Sequence, residues 1–304
     1  MKNAILLFLL FWSGQISCAA KNVLFIVVDD LRPMLSCYGE KIMRTPNIDS
    51  LAKHGTIFFN AFAQQALCAP SRNSFLTSRR PETTKLFDFY SYFRDFSGNF
   101  TTLPQYFKEN GYDAHSIGKV FHPGISSNFS DDMPYSWSRT PFHPSTEIYK
   151  NVAVCIGKDQ KRHQNLLCPV DLETQPEETL PDIQSTNEAL KFLEEKSMNH
   201  SKNPFFLAIG YHKPHVPFKF PSDFLDLYPL KDIDPPDNPE KPELMPNIAW
   251  NPWSAMRTRD DIAALNLSFP FGPMTKEYTL LIRQHYYASV GSILIFPRKW
   301  KLNR

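Results

Sequence analysis

The sequence predicts an α/β fold with a largely parallel sheet flanked by helices. Three candidate strands carry that reading: "NVLFIVVDD" (22–30), "YDAHSIGKV" (112–120) and "PFFLAIGYHKPH" (204–215). Each is short, each ends in polar residues, and helical patterns lie between them. The first run is β-branched and does not alternate, which reads as a strand buried on both faces.

The elements follow in chain order. Lys2, the run "AILLFLLFW" and the small residues up to Ala19 and Ala20 predict a signal peptide over 1–20. The run is too short to span a bilayer comfortably. A mature chain from residue 21 is therefore expected to be soluble, within the secretory pathway. "TPNIDSLAKHG" (45–55) reads as a helix capped by Thr45 and opened by Pro46. Ile48, Leu51 and Ala52 share its apolar face, and Gly55 ends it. Pro70 and Ser71 favour a further helix starting just after Cys68. "TTLPQYFKENG" (101–111) repeats the proline-opened pattern. "STNEALKFLEEK" (185–196) reads as a helix opened by a capping box of Ser185 and Glu188. Residues 214–252 carry ten prolines but also Phe218, Phe220, Phe224, Leu227, Tyr228 and Trp250. That composition predicts an ordered excursion that shapes a cleft.

Composition narrows the function. The 33 basic and 31 acidic residues leave a net charge of +2, so no polybasic field exists to bind nucleic acid. Four glycosylation acceptor patterns start at Asn99, Asn128, Asn199 and Asn266, in keeping with a secreted chain. Of five cysteines, Cys18 leaves with the signal. Cys155 and Cys168 flank a polar stretch and suit a local disulfide in an oxidising compartment. Cys37 is expected to be a buried free thiol.

The three strands all end in residues of catalytic type: Asp29 and Asp30, then Lys119 with His122 close behind, then His212. Ligands of open α/β sheets bind outside the carboxyl ends of the strands. If the three are parallel neighbours, these residues meet in one crevice. Adjacent carboxylates suit a hard divalent cation such as Ca²⁺ or Mg²⁺. Lysine, arginine and histidine suit an anionic group and a leaving oxygen. No zinc-like spacing of Cys and His appears. Cys68 falls at a helix N-terminus, where backbone N–H groups favour negative charge. Lys213 and His215 read as loop residues.

"CAPSR" at 68–72, with "VDDLRP" ahead of it, resembles the sulfatase family. "FNAFAQQALCAPSR", "LPQYFKENGYDAHSIGKVFHPGISSN", "LLCPVD" and "GYHKPHVPF" extend the likeness from Asn22 to Val290. The resemblance implies an alkaline-phosphatase-like catalytic domain over 21–290. It implies that a formylglycine-generating enzyme oxidises Cys68 to formylglycine. One hydroxyl of the hydrated aldehyde attacks sulfur; the other lets sulfate leave, which a serine could not do. Asp29, Asp30 and residue 68 would bind Ca²⁺, and Arg72 would hold the hydrate. Lys119 and His122 would contact sulfate, and His212 would sit near the leaving oxygen. Cys155 and Cys168 would be paired. The implied substrate is a sulfated glycosaminoglycan, heparan or dermatan sulfate, at iduronate 2-sulfate. The implied location is the lysosome.

Two departures stand out. Ser78 occupies a place where the family usually has glycine. Residues 291–304 form a basic tail that departs from the family and is not expected to continue a helix. The family's later Asp-His pair and second lysine are not found here. The chain is therefore expected to be truncated, and inactive or unstable by itself. Two other readings fit parts of the sequence. One is a phosphoester hydrolase of the same superfamily, which a cysteine nucleophile disfavours. The other is a secreted glycan-binding product without turnover.

Overall fold

The computed structural model describes residues 20–198, 203–270 and 272–294. The expected signal peptide (apart from Ala20), Cys18, Asn199 and the tail from residue 295 lie outside the described residues.

The strands are β1 (Val23–Val28), β2 (Asp113–Gly118), β3 (Cys155–Ile156), β4 (Arg162–His163), β5 (Leu167–Val170), β6 (Phe205–Tyr211) and β7 (Phe218–Pro221). The α-helices are α1 (Pro46–His54), α2 (Cys68–Thr77), α3 (Pro81–Thr84), α4 (Phe93–Phe96), α5 (Leu103–Glu109), α6 (Pro181–Met198), α7 (Ser254–Arg257), α8 (Asp260–Ala263) and α9 (Lys276–Leu294). The three predicted strands form one parallel sheet in the order β1-β6-β2. Central β6 is buried along its whole length, as a strand covered on both faces must be.

Side chains alternate across β6 and divide the core. Leu207, Ile209 and Tyr211 enter a large apolar cluster with Ala189 and Phe192 of α6 and Tyr287 and Val290 of α9. Phe206 and Ala208 enter a second cluster with Leu76 of α2, Phe121 and Trp137. Phe206 also stacks on Phe107 of α5 at 4.6 Å between centroids. Helices thus cover both faces of the sheet.

Several expectations need correction. Strand β1 is not buried on both faces. It is an edge strand, and Leu24 and Ile26 remain 39% and 48% exposed. Helix α1 ends at Gly55 as expected, but Leu51 is 63% exposed and no residue of the helix is fully buried. The Thr45 side chain does not cap it; its hydroxyl donates to Asp49 Oδ1 at 3.1 Å. Helix α6 begins at Pro181, not Ser185. Ser185 is a buried interior residue, because Asp182, Ser185, Thr186, Ala189 and Phe192 follow the helical period along the buried face. Helix α9 runs past Val290 to Leu294, so the start of the tail does continue a helix. Cys37 is a free thiol but only half-buried.

Other expectations agree with the structure. Thr102 and Gln105 form a capping box on α5, and Pro104 fits its first turn. In the proline-rich excursion, Phe218, Phe220 and Tyr228 are buried while Leu227 stays exposed. Cys155 and Cys168 are disulfide-bonded and tie β3 to β5.

Candidate active site

The three strand ends converge. Val28 of β1 pairs with Tyr211 of β6, and Gly118 of β2 pairs with Gly210. Asp29, Lys119 and His212 are therefore the next residues on three neighbouring parallel strands. Glycine is required at the close approach, because a Cβ on Gly210 would overlap the Lys119 carbonyl. Gly118 also adopts φ +70°, in the left-handed region that favours glycine.

Asp29 anchors the floor. It is 3% exposed. Arg72 donates to its Oδ1 at 2.8 Å, and Lys119 Nζ donates to its Oδ2. Burial opposes its ionisation, but Arg72 and Lys119 outweigh that and hold the carboxyl well below the usual range. Arg72 also donates to the carbonyls of Lys119 and, at 2.9 Å, Val120. One guanidinium thus binds the ends of two strands through charge-assisted hydrogen bonds.

Cys68 is the first residue of α2, with Leu67 in the cap position. Its thiol donates to Asp30 Oδ1 at 3.7 Å. Burial, reinforced by Asp29 and Asp30, pushes that thiol up to about 11. At neutral pH it is a thiol, a poor nucleophile. The side chain is better placed than activated.

Ligand atoms of Asp29, Asp30, Cys68 and His215 lie within 4.8 Å of one another. Burial and the charge of Asp29 raise the Asp30 carboxyl above its ordinary value. A divalent cation would relieve that repulsion, so the two carboxylates fit such an ion. Among the described residues the set falls short of the roughly six to eight oxygens that Ca²⁺ takes. His215 lies in a loop, as expected, and its Nε2 stands 3.8 Å from Asp30 Oδ2.

His122 packs against Phe89 at 4.8 Å between centroids. Burial, then Lys119 and Arg72, lower it to about 4, so it is neutral. His212 is buried between two carboxylates. Its Nδ1 lies 3.2 Å from Asp182 Oδ1, and its Nε2 lies 3.2 Å from Glu147 Oε1. The second contact is close in distance without hydrogen-bond alignment. A cleft lined by Lys119, Glu147, Lys150, His212, Lys213 and Lys219 opens beside these groups. Lys213 lies in the turn after β6, as expected, and its Nζ donates to the carbonyls of His215 and Pro217, the latter at 2.6 Å. Burial pulls it down to about 7. Sequence reading missed Glu147, Asp182, Lys213 and His215. The "HKPH" run after β6 carried a signal for the last two; Glu147 and Asp182 stand in segments with none.

The sulfatase family model matches residues 21–290. The chain belongs to the sulfatase family. It is 59% identical over 278 residues to iduronate 2-sulfatase of Mus musculus, covering 91% of this chain and 50% of that protein. It is 59% identical over 272 residues to iduronate 2-sulfatase of Homo sapiens, covering 90% and 49%. The chain thus spans about half the length of these relatives. Among solved structures, the phosphonate monoester hydrolase of Silicibacter pomeroyi aligns with a TM-score of 0.59 at 16% identity, over 90% of this sulfatase chain and 57% of that one. The likeness shows the shared α/β fold, as expected from the sequence.

Of the expected site residues in this sulfatase, Asp29, Asp30, Cys68, Arg72 and Lys119 stand together, and His122 and His212 flank them. Asn99, Asn128 and Asn266 are all exposed. No helix among the described residues is long and apolar enough to cross a membrane.

Proposed function

We propose that the protein is a sulfuric ester hydrolase that removes the 2-O-sulfate of iduronate from heparan or dermatan sulfate. The observation that carries this reading is Cys68 at the N-terminus of α2, held over Asp29, Asp30, Arg72 and Lys119. The 59% identity to iduronate 2-sulfatases supports the choice of sugar. Cys68 would be converted to formylglycine by a formylglycine-generating enzyme. The hydrated aldehyde supplies a nucleophilic hydroxyl and a second hydroxyl that lets sulfate depart.

The chain's own residues do the rest. Asp29, Asp30 and residue 68 would hold Ca²⁺, which supplies positive charge at the sulfate oxygens. Arg72 fixes Asp29 and the two strand ends, so residue 68 meets a preformed floor. Lys119 brings a cation to the same place and stabilises charge on sulfate. His122, neutral and lodged against Phe89, can accept a proton from residue 68. His212 is placed to donate a proton to the leaving sugar oxygen. The expected signal peptide and the exposed acceptor asparagines support passage through the secretory pathway, with the lysosome as destination.

A second reading, glycan binding without turnover, is favoured by one observation: the described metal donors are fewer than Ca²⁺ takes. Mass spectrometry of the Cys68 peptide, with sulfate release from a 2-O-sulfated iduronide, separates the two. An aldehyde and released sulfate support hydrolysis. An unmodified thiol and no release would overturn it.

A further inference from the structure

Asp182 sits in the first turn of α6 and plays no part in the chemistry above. Its carboxylate is buried, and among the described residues its hydrogen bonds come from one short segment. The backbone N–H groups of His212 and Lys213 donate to it at 2.7 and 2.9 Å, and His212 Nδ1 lies 3.2 Å away. A carboxylate only accepts, so Nδ1 must carry a proton to bond with it. The other nitrogen, Nε2, then faces the cleft beside Glu147 Oε1 at 3.2 Å.

We propose that Asp182 is the positioning residue of His212: it fixes the ring with Nδ1–H turned inward and Nε2 presented to the cleft, where Glu147 keeps a proton on it until substrate arrives. The inference rests on the proposed hydrolase reading and deepens it. Two anions around one imidazole favour its charged form. The surroundings agree: burial alone would lower His212, but Asp182 and Glu147 outweigh it and raise it. The opposing shift appears at Glu147, which burial would raise and which His212 pulls down to about 2. His143 faces Glu147 and His212 from the preceding segment, and acts against the charge on His212. Lys119, Lys150, Lys213 and Lys219 line the same cleft from other elements. The cations work against a charged His212, so the two carboxylates are what sustains it.

The step balances simply. Nε2–H passes its proton to the oxygen of the breaking S–O bond, the sugar leaves as an alcohol, and His212 is left neutral with its remaining proton on Nδ1. Asp182 gains and loses nothing. An incoming sulfate ester takes the place beside Nε2 that Glu147 occupies in the free protein.

The test is long-range ¹H–¹⁵N NMR of the full chain labelled at histidine, titrated across pH, with His212 assigned by His212→Gln. The expected result is a proton on Nδ1 throughout, with Nε2 losing its proton only above the ordinary histidine range. Asp182→Asn should abolish the Nδ1–H preference and lower the midpoint by about one unit or more. Glu147→Gln should lower the midpoint while leaving the tautomer unchanged. A wild-type His212 that titrates at or below the ordinary value, or is neutral with its proton on Nε2, overturns the proposal. That wild-type readout decides even if Asp182→Asn does not fold. None of these signals needs turnover, so a chain that releases no sulfate but gives them refutes the hydrolase reading and leaves the ring placement standing. In a sulfate-releasing preparation, Asp182→Asn should lower kcat more than it raises KM and move the alkaline limb of the pH profile down, with Asp182→Glu restoring part of the loss.

Discussion

Arg72 shows how much of the site hangs on one residue. It is 3% exposed and bonds Asp29 and the carbonyls of Lys119 and Val120. Removing one partner of a buried charge pair leaves the other uncompensated. Arg72→Met should therefore cost about 3–5 kcal/mol in denaturant unfolding, and any sulfatase activity should vanish with it. His115 offers the opposite case. It is buried on β2, stacked on Phe192 at 5.4 Å between centroids. Burial, with Arg139, lowers it to about 4. A histidine held neutral in the folded state contributes stability that is present above the unfolded value and lost as pH falls toward the folded one. Between pH 6.5 and about 4 the protein should lose up to roughly 3 kcal/mol on this account. His115→Phe should flatten that acid slope in pH-dependent melting. The catalytic candidates were legible at this scale because Asp29, Lys119 and His212 each stand at the end of a candidate strand. Glu147 and Asp182 were not, because nothing in their own segments marks them; only the folded geometry brings them to His212.

At the scale of the element, Ser78 ends α2 in the left-handed conformation, φ 55° and ψ 33°. A side chain there is strained, and glycine is not. The residue is exposed, so Ser78→Gly should raise stability by about 1 kcal/mol. Thermal unfolding at neutral pH would check it. The disulfide between Cys155 and Cys168 links residues 13 apart in sequence and joins β3 to β5. Replacing both cysteines by alanine should cost about 2–4 kcal/mol. The effect should be felt at the cleft, because β5 pairs with β7 near Lys219. The sequence marked α2, α5 and the three long strands, where capping residues and apolar runs agree. It misplaced the start of α6, because Ser185 and Glu188 imitate a capping box four residues inside the helix. In the first turn of the real helix, which starts at Pro181, Asp182 binds the segment after β6, a contact between distant parts of the chain.

At the scale of the whole molecule, the sheet has two unlike edges. Beyond β2, Phe142 and Ser138 donate to the carbonyls of Ser116 and Ala114 at 2.9 and 2.8 Å. Beyond β1, no strand pairs among the described residues. Leu24, Ile26 and Leu51 are exposed, with Phe58, Phe59 and Phe62 exposed in the segment after α1. An unpaired edge with apolar side chains invites association. The chain should bind a hydrophobic dye and self-associate, and Leu24→Lys with Ile26→Lys should reduce both in light scattering. That β1 forms this edge was not legible because a run such as "VLFIVV" looks the same in a central strand and in an edge strand with only one face covered. The central position of β6 has a consequence in time. The strand that joins β1 to β2 is made about 140 residues after Cys68. At synthesis rates of roughly 5–20 residues per second, Cys68 stays outside any closed site for several seconds or more. An enzyme that must reach this thiol has that interval to do so, and the same strand that completes the crevice brings it to an end.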